Sequence, residues 1–213
     1  TEKKFLEERL DLPPGKVDAV PYGFAPRYFP VFREERPVRN EILTVGADAQ
    51  RDMELLQEWS LQHPETPIRA ILSRELVERL LAVPDSWVLE NDIPLETVLA
   101  WLAEASLVVI PVKENRYTAG TTFLLQALAA GVPTLVAQTG ALTAMPEAEP
   151  FPFLTYEPEN PASFAEGMRR LLSLGPEERR QRSRDGRRWV ERWGDGRELR
   201  RELERFVERC TRA

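Results

Sequence analysis

The stretch LVVIPVKENRYTAGTTFLLQALAAGVPTLVA, Leu107–Ala137, reads as a strand, a loop, a helix and a second strand. LVVIPV is apolar without alternation, which is the pattern of a parallel strand covered on both faces. In the helical part, Leu124, Leu125, Leu128 and Ala129 recur at spacings that put them on one side of a helix. Gly131 followed by Pro133 stops that helix and leads directly into PTLVA. Two parallel strands need such a crossover, because a tight turn cannot join them.

The same alternation extends outward in both directions. Strands are expected at Val17–Val20, Glu41–Gly46, Ile68–Ser73, Ser86–Glu90, Leu107–Val112, Pro133–Ala137 and Phe153–Tyr156. Helical patterns fall at 51–62, 74–82, 95–104, 121–130, 162–173, 176–193 and 196–210, with Pro94 and Pro161 suited to first-turn positions. Strict alternation predicts an α/β class: a Rossmann-like parallel sheet flanked by helices. The opening does not fit, since Glu2–Leu10 makes a lone helix and LPPGK a turn. Residues 1–16 are therefore expected to end a preceding domain or linker, and residues 17–213 to form the Rossmann-like domain.

Composition excludes several classes. Hydrophobic residues are 42% and charged residues 30%, ordinary for a globular protein. No apolar run reaches the ~18 residues of a membrane helix. The charged start TEKKFLEERLDL is unlike a signal peptide, which makes the cytoplasm the expected compartment. One cysteine, Cys210, leaves no internal disulfide framework, and one histidine, His63, argues against a His-based metal site. From Arg179 onward the chain is rich in arginine, but acids are interleaved at helical spacing (Glu198, Glu202, Glu208). Intrahelical pairing explains that pattern better than nucleic acid does, and contact with an anionic membrane surface stays open.

In an open parallel sheet, ligands sit beyond the carboxyl ends of the strands. After EILTV comes Gly46, where the backbone can approach a ligand, and then Arg51, either a surface residue or a phosphate-binding fork. After LVVIPV, the small residues before Thr121 and Thr122 bring Gly120 to the start of a helix. That terminus is either an anion site with two hydroxyls beside it or an ordinary Thr cap. Gln126, on the same helix, faces either solvent or the pocket above the strands. Arg74 reads as a surface residue at the rim, His63 as a helix end, and the five tryptophans as packing residues.

At this point the residues match a known family. LVVIPV…YTAGTTFLLQALAAGVPTLVA resembles the signature of the retaining GT-B glycosyltransferases called group 1, in which Glu-Ala-x-Ala-x-Gly-x-Pro precedes a strand. Gln126–Pro133 fills that pattern here. VDAVPYGFAPRYF (Val17–Phe29) is similar to the family's interdomain entry, with Tyr22 and Gly23 shaping the cleft. ILTVGADAQRDMELL resembles the first strand and phosphate loop of its C-terminal domain, and EPENPASFAEGMRRLL its closing segment. The likeness implies the donor-binding half of an enzyme that moves a sugar from a nucleoside-diphosphate sugar, without a metal or other cofactor. It also implies an N-terminal Rossmann-like partner domain and an acceptor that is a glycan, a lipid or a small molecule. No Asp-x-Asp triplet occurs.

Residue by residue, the resemblance puts the base near Asn91–Leu95 with Ile93, the ribose at Gln126, and the diphosphate at Gly46, Arg51, Gly120, Thr121 and Thr122. Catalytic roles fall to Arg51, Glu114 and Thr118. The departures are equally specific. The family's two donor-site glutamates are Thr118 and Gln126 here, and Glu114 is the nearest carboxylate to stand in for the first. The arginine that often follows the first-strand glycine is Ala47, a loss worth about 1–3 kcal/mol of binding. A non-catalytic module that kept the shape is the alternative, and an unrelated nucleotide-binding α/β domain a third.

Overall fold

The computed structural model describes residues 2–14, 16–17, 39–115, 119–140, 142, 151–194 and 196–212. Residues 18–20 of the expected first strand, the entry segment with Tyr22 and Gly23, and Thr118 lie outside the described residues. Helix α1 (Glu2–Arg9) leads the chain, followed by β1 (Arg39–Gly46), α2 (Met53–Gln62), β2 (Ile68–Leu72) and α3 (Arg74–Glu78). Then come β3 (Trp87–Glu90), α4 (Leu95–Glu104), β4 (Ala105–Ile110), α5 (Thr121–Ala129), β5 (Thr134–Ala137) and β6 (Leu154–Tyr156). The chain ends with α6 (Pro161–Leu172), α7 (Pro176–Trp189), a π turn (Val190–Gly194) and α8 (Arg197–Arg212).

The six strands form one parallel sheet in the order β3-β2-β1-β4-β5-β6. That order reverses between β1 and β4, and the crevice at such a reversal is where doubly wound sheets take ligands. Right-handed crossovers place the helices of the two halves on opposite faces. Thus α2 packs with α6, where Trp59 meets Phe164 edge to face, while α7 lies over α5. Strand β4 is buried at every residue, which accounts for its unbroken apolar run.

Among the boundaries that differ from the sequence reading, those of β4 and α3 are the ones with a clear local cause. Strand β4 begins at Ala105, straight from the end of α4, and stops before Pro111, which has no N–H for the ladder. Val112 instead bridges antiparallel to Arg51. Helix α3 stops at Glu78 rather than 82, and the side-chain amide of Gln57 takes the Ala82 carbonyl, holding that stretch against α2. Trp59, Trp87 and Trp189 are buried, and Trp101 lies under the Arg69 guanidinium at 4.5 Å. His63 forms the C-cap of α2, its ring stacked on Trp59.

Candidate functional site

The β1 and β4 loops rise from the crevice and are fastened to each other. The Asp52 N–H donates to the Pro111 carbonyl at 3.1 Å, and the Lys113 N–H to Gln50 at 2.8 Å. Between them lies Arg51. It is only 5% exposed, so the surface alternative is excluded. Its side chain lies over Gly46, where a Cβ would come within 2.6 Å of Arg51 Cγ, so this strand end tolerates no larger residue without a shift.

The far end of Arg51 reaches α5. Gly120 is the N-cap of that helix at φ 81°, in the left-handed region that favours glycine. A Cβ there would meet Ile110 Cγ2 at 2.9 Å and Arg51 Nη1 at 3.2 Å. The N-cap position is Gly120, which has no side chain to cap with, and this rules out the Thr N-cap alternative. First-turn amides lack intrahelical acceptors and carry the positive end of the helix dipole. Gly46, Arg51 and Gly120, drawn from two separate loops, therefore meet at one point.

Arg51 keeps one ion pair among the described residues, from Nε to Asp48 Oδ2 at 3.3 Å. Among the described residues, neither Nε nor Nη1 makes a hydrogen bond, although both are enclosed. Burial lowers the affinity of this guanidinium for its proton, and Asp48 opposes that effect. A buried donor without a partner costs about 1–3 kcal/mol. An anion at the α5 terminus would offset that cost.

Helix α5 is buried at every position except Thr122, which is exposed, and Gln126, which is half-buried. The two are four residues apart and share one face, leading away from the Arg51 end. Thr121 is buried, so of the two threonines only Thr122 faces outward. Glu114 is exposed on the rim. Its carboxylate accepts from the Gly140 N–H at 3.4 Å, and its own N–H donates to Glu159 at 3.3 Å. It thus ties the β4 loop to the loops after β5 and β6. Ile93 follows the edge strand β3 and packs against the core, about 10 Å from β1 at ~4.8 Å per strand spacing. Arg74 is exposed at the start of α3.

Three neighbours escaped the sequence reading. Asp48 carries both the Arg51 pair and a turn, accepting from the Gln50 N–H at 3.0 Å. Asp52 caps α2 by accepting from Leu55 N–H, and burial raises its pKa. The Tyr156 hydroxyl accepts from the Val112 N–H at 3.3 Å, and burial likewise pushes its pKa up. An acid two residues past a strand-end glycine was the available signal for Asp48; the long-range placement of Tyr156 had none. Lys113 pairs with Glu54 at 3.5 Å. Among the described residues, no three His, Cys, Asp or Glu side chains gather closely enough to hold a metal ion. Nor is any described helix long and apolar enough to cross a membrane.

No family model and no curated protein matches the sequence. Solved structures do match in shape. Sucrose-phosphate synthase from Thermosynechococcus elongatus superposes with a TM-score of 0.77 at 17% identity, over 99% of this chain and 56% of that one. A glycosyltransferase from Rickettsia africae gives 0.75 at 14% identity, over 97% and 61%. WaaG, a glycosyltransferase involved in lipopolysaccharide biosynthesis, gives 0.68 at 17%, over 92% and 58%. The chain spans a little over half the length of each. With six described strands in one parallel sheet and a crevice at the β1/β4 reversal, the chain has the fold of one Rossmann-like domain of the GT-B glycosyltransferases.

Proposed function

We propose that the crevice binds the diphosphate of a nucleoside-diphosphate sugar, and that the chain serves as the donor half of a glycosyltransferase. The observation that carries this reading is Arg51, a buried cation whose Nη1 lies against Gly120 at the start of α5 and has no hydrogen-bond partner among the described residues. A diphosphate there receives the guanidinium and the helix amides together. The outward face of Thr122 and Gln126 supplies hydroxyl and amide partners for a ribose one turn further on. The loop carrying Ile93 lies on the same edge of the sheet for the base.

The chemistry that follows is departure of the diphosphate. Negative charge grows on the leaving oxygens as the sugar bond breaks, and fixed dipoles with a buried cation stabilise it without reorganisation. In this reading the departure needs no metal, and the transfer is retaining, as the sequence resemblance implies. Glu114 is tied to the rim through one oxygen, which accepts from the Gly140 N–H, and this reading assigns it to the sugar in place of the family's first glutamate. A glycan, lipid or small-molecule acceptor would be held by a companion Rossmann-like domain, in a cytoplasmic protein that works in solution or at the inner face of a membrane. The matched structures, longer by about two fifths of their own length, support such a companion.

Thermal unfolding with a panel of UDP-, GDP- and ADP-sugars tests the reading. A ligand at ~100 times its Kd stabilises by about 2.7 kcal/mol, a Tm rise of roughly 5–10 °C at this size. Arg51→Ala should weaken the best ligand at least ~10-fold, the loss of one charged hydrogen bond. Gln126→Ala should weaken it less. Failure of every sugar and every free nucleoside diphosphate to shift Tm overturns the proposal in favour of a scaffold module.

A further inference from the structure

The Arg51 cation is not alone in its pocket. Asp48 sits on its Nε edge at 3.3 Å, while the Nη1 edge faces Gly120 and the α5 terminus. One guanidinium thus lies between a resident carboxylate and the place where a ligand anion would bind. Asp48 is fixed there by its own loop. Its Oδ1 accepts from the Gln50 N–H at 3.0 Å, and its carbonyl from the Arg51 N–H at 3.1 Å. The loop is held in turn to β4 through Asp52 and Lys113. Binding at Nη1 therefore need not displace the carboxylate.

Arg51, by contrast, does not need Asp48 to hold its place. Gly46 lies beneath its stem, Gly120 against its tip, and Val112 bridges its backbone. Packing positions the cation, so the main effect of Asp48 on a bound anion is Coulombic, and that effect is repulsive. The neighbouring cations offer little compensation: Lys113 and Arg79 both pair with Glu54.

Given the diphosphate reading above, on which this rests, we propose that Asp48 is a resident counter-ion to Arg51. It stabilises the empty domain by pairing a buried cation, and it weakens the site for anions in proportion to their charge. A free nucleoside diphosphate carries more charge than its sugar ester, because the sugar caps the terminal phosphate. Asp48 therefore sets the balance between donor binding and product release, weakening the product more than the donor.

The test is Asp48→Asn, which keeps an oxygen for the Gln50 N–H and removes only the charge. The ligand-free variant should melt below the wild type, since Arg51 loses its pair. The same variant should bind a free nucleoside diphosphate about fivefold tighter, the scale of a partly exposed ion pair, and the nucleotide sugar by a smaller factor. Its affinity should also fall more steeply with salt. Opposite signs on stability and affinity are the decisive result, because a merely structural residue would lower both. Unchanged or weaker binding by the variant, with the wild type binding normally, overturns the role of Asp48. Absence of binding by the wild type overturns instead the diphosphate reading on which it rests.

Discussion

Asp52 sits beside Arg51 in sequence but is governed by different physics. It caps α2 and is 6% exposed, and desolvation is the largest influence on its carboxyl, raising its pKa above the ordinary 3.8. The Leu55 N–H and Lys113 oppose that effect without cancelling it. A pKa raised by folding means that the native state prefers the protonated form. The group therefore costs no stability below the ordinary carboxylate value, and the cost grows as pH rises through that value to the raised one. Asp52→Asn keeps an N-cap of equal quality and removes the buried charge. Urea unfolding from about pH 4 to pH 7 should show a smaller loss of stability with rising pH than in the wild type, with equal or greater stability at neutral pH. Asp52→Ala should lose about 1 kcal/mol at the acid end, where it removes only the cap, and less at neutral pH, where it also removes the cost of the buried charge.

The β4–α5–β5 unit is the element on which both fold and site depend, and Gly120 is where the two meet. Its left-handed φ of 81° strains any other residue, and a Cβ would press on Ile110 within the core. Gly120→Ala should destabilise by about 1–3 kcal/mol, read from denaturant midpoints at constant m. The variant should also lose ligand-induced stabilisation, since the added methyl moves Nη1 of Arg51. This element was legible in the sequence: an unbroken apolar run, small residues before a helix and a Gly-x-Pro stop all have local causes. The strand end at Pro111 was within reach of the same reasoning. Burial of Arg51 was not, because it depends on Gly46 and Gly120 both lacking a Cβ across a contact between two distant loops. Tyr156, reaching from the last strand to the Val112 amide, was hidden for the same reason. Isolated residues of these types read as surface or core with equal ease, and only the closed sheet decides between them.

Across the whole molecule, burial is unevenly distributed, and stability should follow it. Strand β4 and helix α5 lie at the centre, with Leu124, Val108 and Ile110 fully enclosed. Helix α8 is the opposite case. It carries an apolar stripe of Leu203, Phe206 and Val207, exposed by 45%, 41% and 57%, and its main contact is with the π turn before it. Surface ion pairs such as Arg200–Glu204 decorate it, and solvent-exposed pairs of this kind contribute little to stability. An isolated helix of about this length is marginal in water without a packed face. Amides of α8 should therefore exchange with solvent through local opening, at least about a hundredfold faster than those of β4 and α5, which open only with the whole domain. Hydrogen exchange resolved by segment measures this directly. Equal protection in α8 and α5 would mean that the apolar stripe is covered in solution by a contact absent from the isolated chain.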